Sequence, residues 1–136
     1  MYIAIIADDR KKELMAQFCI AYCGILAKHH LYATGTTGKY IEAATGLKTE
    51  RLLSGEHGGT QQIMARIAYD EIDMLLFFRD ADPQSVMDDD SDLLRMCDAH
   101  NVPVATNMAT AEILVRALDR GDLDWRKIVN PKDNKK

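Results

Sequence analysis

The chain has 136 residues, 47% of them hydrophobic and 28% charged, with a formal net charge of −4. That length suits one domain with its own core, and the acidic balance lacks the broad basic footprint of a nucleic-acid binder. No apolar run approaches the ~20 residues of a membrane span, and the three cysteines, Cys19, Cys23 and Cys97, do not make a disulfide framework.

Tyr2–Ala7 is an uninterrupted apolar run and predicts a buried strand. It opens the chain without a basic leader or cleavage site, so no signal peptide is expected. The cysteines then read as core thiols of a reducing cytoplasm. From Asp9 to about Lys28, Leu14, Phe18, Tyr22 and Ile25 recur at helical spacing, with Asp8 or Asp9 available as a cap. His30–Thr34 predicts a second strand. Gly35–Gly38 reads as a glycine loop before a short helix, Lys39–Thr45, stopped by Gly46.

Lys48–Leu53 is a further extended run, and Ser54-Gly55-Glu56-His57-Gly58-Gly59 a second glycine loop. Thr60–Glu71 predicts a helix with Ile63, Ile67 and Ala68 on one face, and Asp73–Phe78 a strand buried on both faces. An acidic stretch, Asp80 to Asp92, leads into a helix through Cys97. Val102–Thr106 predicts a strand and Thr110–Arg120 a helix capped by Thr110, while residues 130–136 form a polar tail. Strands alternating with helices over residues 1–129 predict a single α/β domain. Its mainly parallel sheet is flanked by helices on both faces.

In such sheets ligands sit beyond the carboxyl ends of the strands. The Asp8-Asp9 turn, both glycine loops, the Arg79-Asp80 turn and Asn107 all follow strands and should converge there. Thr34-Gly35-Thr36-Thr37-Gly38 lets the backbone approach a ligand, and amides at a helix start favour an anion. The same loop also reads as a plain strand-to-helix turn. Lys12 is either a point charge for a phosphate or a solvated lysine beside Lys11. His57 is either an exposed loop histidine or a donor or base. Asp88-Asp89-Asp90 is either a solvated run or a carboxylate cluster, and no ligand pattern supports a metal.

Three segments carry a family resemblance. They are Leu31–Gly38 with Ala44-Thr45-Gly46, Ser54-Gly55 through Gly58-Gly59-Thr60-Gln61-Gln62, and Pro103–Ala111. Over roughly residues 2 to 128 the chain resembles methylglyoxal synthase, a domain type also found in carbamoyl phosphate synthetase and an inosinate cyclohydrolase. The family's enzyme converts dihydroxyacetone phosphate into methylglyoxal and phosphate without a cofactor. A carboxylate takes a proton beside the carbonyl, a histidine polarises the carbonyl oxygen, and the enediolate expels phosphate.

The resemblance places a phosphate cradle on Lys12, Thr34, Gly35, Thr36, Thr37, Ser54 and Gly55. It also implies a homohexamer. The family's G-G-D-Q-Q carries its catalytic aspartate where this chain has Thr60, its A-H-D reads Ala7-Asp8-Asp9, and its P-H-x-P-D segment reads Val86–Asp90 with no histidine. Asp80 matches an active-site aspartate of the family, and Asp89 or Asp90 another. With Thr60 in place of the base, the candidate catalytic residues are Asp80, Asp8 and His57.

The resulting expectation is a protein that binds a phosphorylated metabolite or nucleotide signal without lyase chemistry, as a sensor or sequestering protein. The alternative is a working methylglyoxal synthase with a rearranged acid–base set. A third reading is a related enzyme acting on a different phosphorylated substrate through Asp8, His57 or Asp80.

Overall fold

A computed structural model describes residues 1–81 and 88–131. Residues 82–87, inside the acidic stretch from Asp80 to Asp92, and residues 132–136 of the polar tail lie outside the described residues. Five strands form one parallel sheet: β1 (Tyr2–Ala7), β2 (His30–Thr34), β3 (Glu50–Leu52), β4 (Met74–Phe78) and β5 (Val104–Ala105), in the order β3-β2-β1-β4-β5. The expected α/β class, with helices on both faces, is the class observed.

Alternation along β1 assigns the faces. Ile3, Ile5 and Ala7 join Met15, Phe18, Leu26, Ile41, Val115 and Leu118 in one buried layer. These come from α1 (Lys12–Ala21), α2 (Cys23–Leu26), α3 (Gly35–Thr45) and α6 (Met108–Arg120). Ala4 and Ile6 face the other layer, with Ile63 and Ile67 of α4 (Gly59–Ala68) and Leu93 and Cys97 of α5 (Asp88–Ala99). A sheet covered on both faces explains why β1 and β4 read as continuous apolar runs.

Several expected boundaries move. The first helix is divided: a 3-10 turn at Asp9–Lys11 precedes α1, and Tyr22 separates α1 from α2. Neither Asp8 nor Asp9 caps it. α3 starts at Gly35, so the first glycine loop is itself the helix's first turn. An added Cβ at Gly35 would crowd the Leu52 carbonyl oxygen at 3.2 Å. α6 is capped by Asn107, whose side chain accepts from the Thr110 amide at 3.1 Å, rather than by Thr110. The earlier side-chain oxygen wins because it reaches the N3 amide.

A last helix, α7 (Trp125–Val129), was not expected from the sequence. It is tied down by Arg126, which ion-pairs with Asp73 at 3.0 Å while both side chains are buried.

Candidate active site

The sheet order reverses at β1, which has β2 on one side and β4 on the other. The crevice at the carboxyl ends of β1 and β4 is therefore the topological switch point, where open α/β sheets take their ligands. Two hydrogen bonds close its floor. The Asp8 amide donates to the Phe78 carbonyl at 3.0 Å, and the Asp80 amide donates to Asp8 Oδ2 at 2.7 Å. Asp8 thus spends one carboxylate oxygen on stitching the two strand ends together.

Above this floor is a cavity of about 660 Å³, a volume typical of small-molecule sites. Lys12, Thr34, Thr36, Ser54, Gly55, His57, Thr60, Asp8 and Asp80 all line it. The structure brings five of the seven expected cradle residues together with the expected catalytic residues. Gly35 and Thr37 stand behind that surface. The Gly35 amide donates to the Leu53 carbonyl at 3.3 Å, which ties the two glycine loops together. Thr37 is 1% exposed, and its hydroxyl accepts from the Ala7 amide and from the Thr34 hydroxyl, each at 3.3 Å. Both residues hold the cradle in shape.

Lys12 is not the solvated lysine of the bland reading. It is 9% exposed, and its Nζ donates to the Ala7 carbonyl at 2.8 Å and to Asp9 Oδ1 at 3.0 Å. An ammonium carries three donors, so one N–H remains for a ligand oxygen. The first-turn amides of α3 have no carbonyl within their own helix, and Thr34 and Thr36 of that turn border the cavity. One buried cation and one helix N-terminus on the same wall suit a phosphate.

The adjoining wall is the second glycine loop. Ser54 precedes a 3-10 turn, Gly55–His57, and its carbonyl accepts from the His57 amide at 2.9 Å and the Gly59 amide at 2.8 Å. Its hydroxyl is hydrogen-bonded to His57 Nδ1 at 2.7 Å. Gly58 has φ +104, and a Cβ at Gly59 would fall 1.9 Å from the Leu53 carbonyl oxygen. Both glycines are demanded by the turn. The Thr60 hydroxyl lies beside Gly55, 3.8 Å from where a Cβ there would sit.

Charges line the rim as ion pairs. Arg10 Nε lies 3.5 Å from Asp80 Oδ2, and Arg79 Nε lies 3.8 Å from the buried Asp90. Asp9, from the turn expected at this end, borders the cavity, and so does Arg10, which had not been expected there. The signal for Arg10 was position, since it sits in the turn that follows β1. Asp90 lines it too, so it is the member of the acidic run that the structure places at the site; the Asp88 and Asp89 side chains lie outside the described residues. Among the described residues no group of histidine, cysteine or acidic side chains could hold a metal ion. No helix there is long and apolar enough to cross a membrane. Burial pushes the Cys19 and Cys97 thiols up to about 12, the behaviour of core residues.

This fold and this cavity define a class: single-domain α/β proteins with a polar, charged cavity at the sheet's switch point. The family model for the MGS-like domain matches residues 16–106, and the chain belongs to the methylglyoxal synthase-like family. A methylglyoxal synthase from Caldicellulosiruptor saccharolyticus is 61% identical over 135 residues, covering 97% of this chain and 94% of that protein. One from a Geobacillus species is 55% identical over 132 residues, covering 95% and 93%. The crystal structure of methylglyoxal synthase from Elizabethkingia anophelis matches with a TM-score of 0.77 and 38% identity, over 84% of this chain and 76% of that one.

These relatives correct one expectation. A binding-only sensor or sequestering protein, inferred from Thr60, Asp8 and the missing histidine, is overturned by likeness of 52–61% over most of the chain to proteins named as the synthase. The inference failed because it judged single aligned positions. Proton transfer needs a suitable group within reach of the substrate, and the cavity holds His57, Asp8, Asp80 and Asp90 together.

Proposed function

We propose that this protein is a working methylglyoxal synthase, cleaving dihydroxyacetone phosphate to methylglyoxal and inorganic phosphate. The observation that carries the reading is the convergence in one cavity of Lys12, Thr36, Ser54 and Gly55 with Asp8, Asp80 and His57. Lys12, the threonine and serine hydroxyls and the α3 amides take the phosphate. The triose carbonyl then lies towards the aspartates and His57. A base takes a proton from the hydroxymethyl carbon, and the electron pair moves into an enediolate. That species collapses by breaking the bond from carbon to the phosphate oxygen. The resulting enol takes up a proton at its terminal carbon and gives its hydroxyl proton to the departed phosphate, yielding methylglyoxal, so atoms and charge balance without a cofactor.

Holding the phosphate places the reacting carbon at a fixed distance from the acid–base groups, which turns binding energy into orientation. The test is direct: purified protein is incubated with dihydroxyacetone phosphate, and methylglyoxal is trapped and measured against free phosphate. Equal, protein-dependent yields of both are expected. No methylglyoxal above the spontaneous rate would overturn the reading.

The same reading carries a cytoplasmic homohexamer. Exposed Ile20, Tyr40, Leu53 and Ile113 offer apolar surface for assembly, and the mass in solution, measured by light scattering, tests it.

A further inference from the structure

The lyase reading leaves one question open: which group removes the carbon-bound proton when residue 60 is a threonine. A threonine hydroxyl is far too weak a base near neutral pH. The aspartates at the cavity are already engaged. Asp8 accepts the Asp80 amide, Asp80 meets Arg10, Asp90 meets Arg79, and Asp9 meets Lys12. His57 is different. It borders the cavity on the wall that also carries Thr60, and its Nδ1 is bound to the Ser54 hydroxyl at 2.7 Å.

We propose that His57 is the general base of this enzyme, and that Ser54 sets its tautomer in response to the substrate's phosphate. The inference rests on the lyase reading above. A serine hydroxyl has one proton to give and lone pairs to accept with. With no anion bound, that proton can point at His57 Nδ1, which leaves the ring's N–H on Nε2. When a phosphate oxygen arrives on the cradle it can only accept, and the Ser54 proton turns to it. His57 Nδ1 must then carry hydrogen and donate to Ser54 Oγ. Nε2 is left with a free lone pair, the form required of a base.

The proton moves from the substrate's hydroxymethyl carbon to Nε2, and the carbon's electron pair enters the enediolate. The imidazolium formed can return that proton to the terminal carbon of the enol after phosphate leaves, while the enol's hydroxyl proton passes to the phosphate. Ser54 in this scheme is both a cradle donor and the positioning residue for His57. The turn around Gly58 and Gly59 holds the two side chains in one geometry.

The test compares wild type, His57→Gln and His57→Gln with Thr60→Asp, using dihydroxyacetone phosphate in heavy water. His57 is exposed and its amide bond to Ser54 is unchanged by the substitution, so the fold should persist. Expected are a fall in kcat of about 100- to 10,000-fold in His57→Gln, KM within about threefold, and an equal loss of deuterium exchange into bound substrate. Thr60→Asp should restore at least about tenfold of it. A second readout is the ring nitrogen resonances of His57, which should move to the Nδ1–H tautomer when inorganic phosphate is added to saturation.

His57→Gln that retains kcat within about threefold of an active wild type would overturn the assignment and leave the lyase reading standing. Ring resonances indifferent to saturating phosphate would overturn the Ser54 coupling. Wild type that makes no methylglyoxal would overturn both.

Discussion

The two ends of the sheet spend their charges differently. At the carboxyl end, Lys12, Asp8, Asp80 and His57 surround a cavity of about 660 Å³, and Lys12 and His57 keep capacity for a ligand. At the amino end, Arg126 and Asp73 are consumed by structure. Arg126 Nε donates to Asp73 Oδ1 at 3.0 Å, Nη1 to the Asn101 carbonyl at 2.6 Å and Nη2 to the Ile72 carbonyl at 3.3 Å. Asp73 Oδ2 accepts from the Tyr2 amide at 2.9 Å. Burying that pair costs desolvation, which only such saturation offsets. The difference separates charge kept for chemistry from charge kept for the fold, and substitutions at the two ends should read out differently.

The largest effect belongs to the amino end. Arg126→Ala leaves Asp73 buried without its cation and should cost about 3–5 kcal/mol, read by urea denaturation. Lyase activity per folded molecule should stay near wild type. A variant as stable as wild type would show that the pair is not the anchor of α7. Gly59→Ala tests whether the separation is complete. Its Cβ would meet the Leu53 carbonyl at 1.9 Å, so the turn must shift. A loss of about 1–3 kcal/mol is expected, this time with a fall in activity. Lys12→Met should act mainly on catalysis: losing one charge-assisted hydrogen bond to phosphate lowers kcat/KM about 10- to 100-fold. Its midpoint of denaturation should move far less than that of Arg126→Ala; an unchanged kcat/KM would remove Lys12 from the cradle.

Much of the carboxyl end was legible in the sequence because its geometry is local. Each loop there directly follows a strand that the sequence pattern marks, and parallel topology does the gathering. Lys12, Thr34, Thr36, Ser54 and His57 could all be named before any coordinates. The α3 start was misplaced because glycine is a poor helix former. Here Gly35 and Gly38 begin a helix that packs too closely for a side chain: a Cβ on Gly38 would lie 2.7 Å from Arg51 Cγ.

The amino end was illegible for the opposite reason. α7 has only the residues Trp125–Val129, too few to show a period. Its anchor joins Arg126 to residues of the 70s and to Asn101, contacts that no local pattern encodes. The mistaken loss of catalysis has the same root. Thr60 is visible in one line of sequence, but His57 bonded to Ser54 in the same wall is a fact of the folded turn.

The smallest effect is also at the amino end and concerns pH. His29 precedes β2, and its Nδ1 lies 3.2 Å from the N-terminal ammonium. Burial first, then the ammonium, Lys127 and Lys28, push its pKa down to about 4 from 6.5, against a weaker opposing pull from Asp119. A histidine depressed in this way is neutral when folded while the unfolded chain still binds a proton. Stability from this group is therefore fully present above about pH 6.5 and is lost as pH falls from there towards 4. The ring is only partly buried, so solvent screening reduces the contribution to about 1 kcal/mol. His29→Gln should flatten the stability curve across that window by this amount and leave lyase activity at pH 7 unchanged. Carboxylates titrating in the same range are common to both proteins and cancel in the difference. Denaturation midpoints that fall in parallel for both would place the acid sensitivity elsewhere, with the paired aspartates of the carboxyl end the next groups to test.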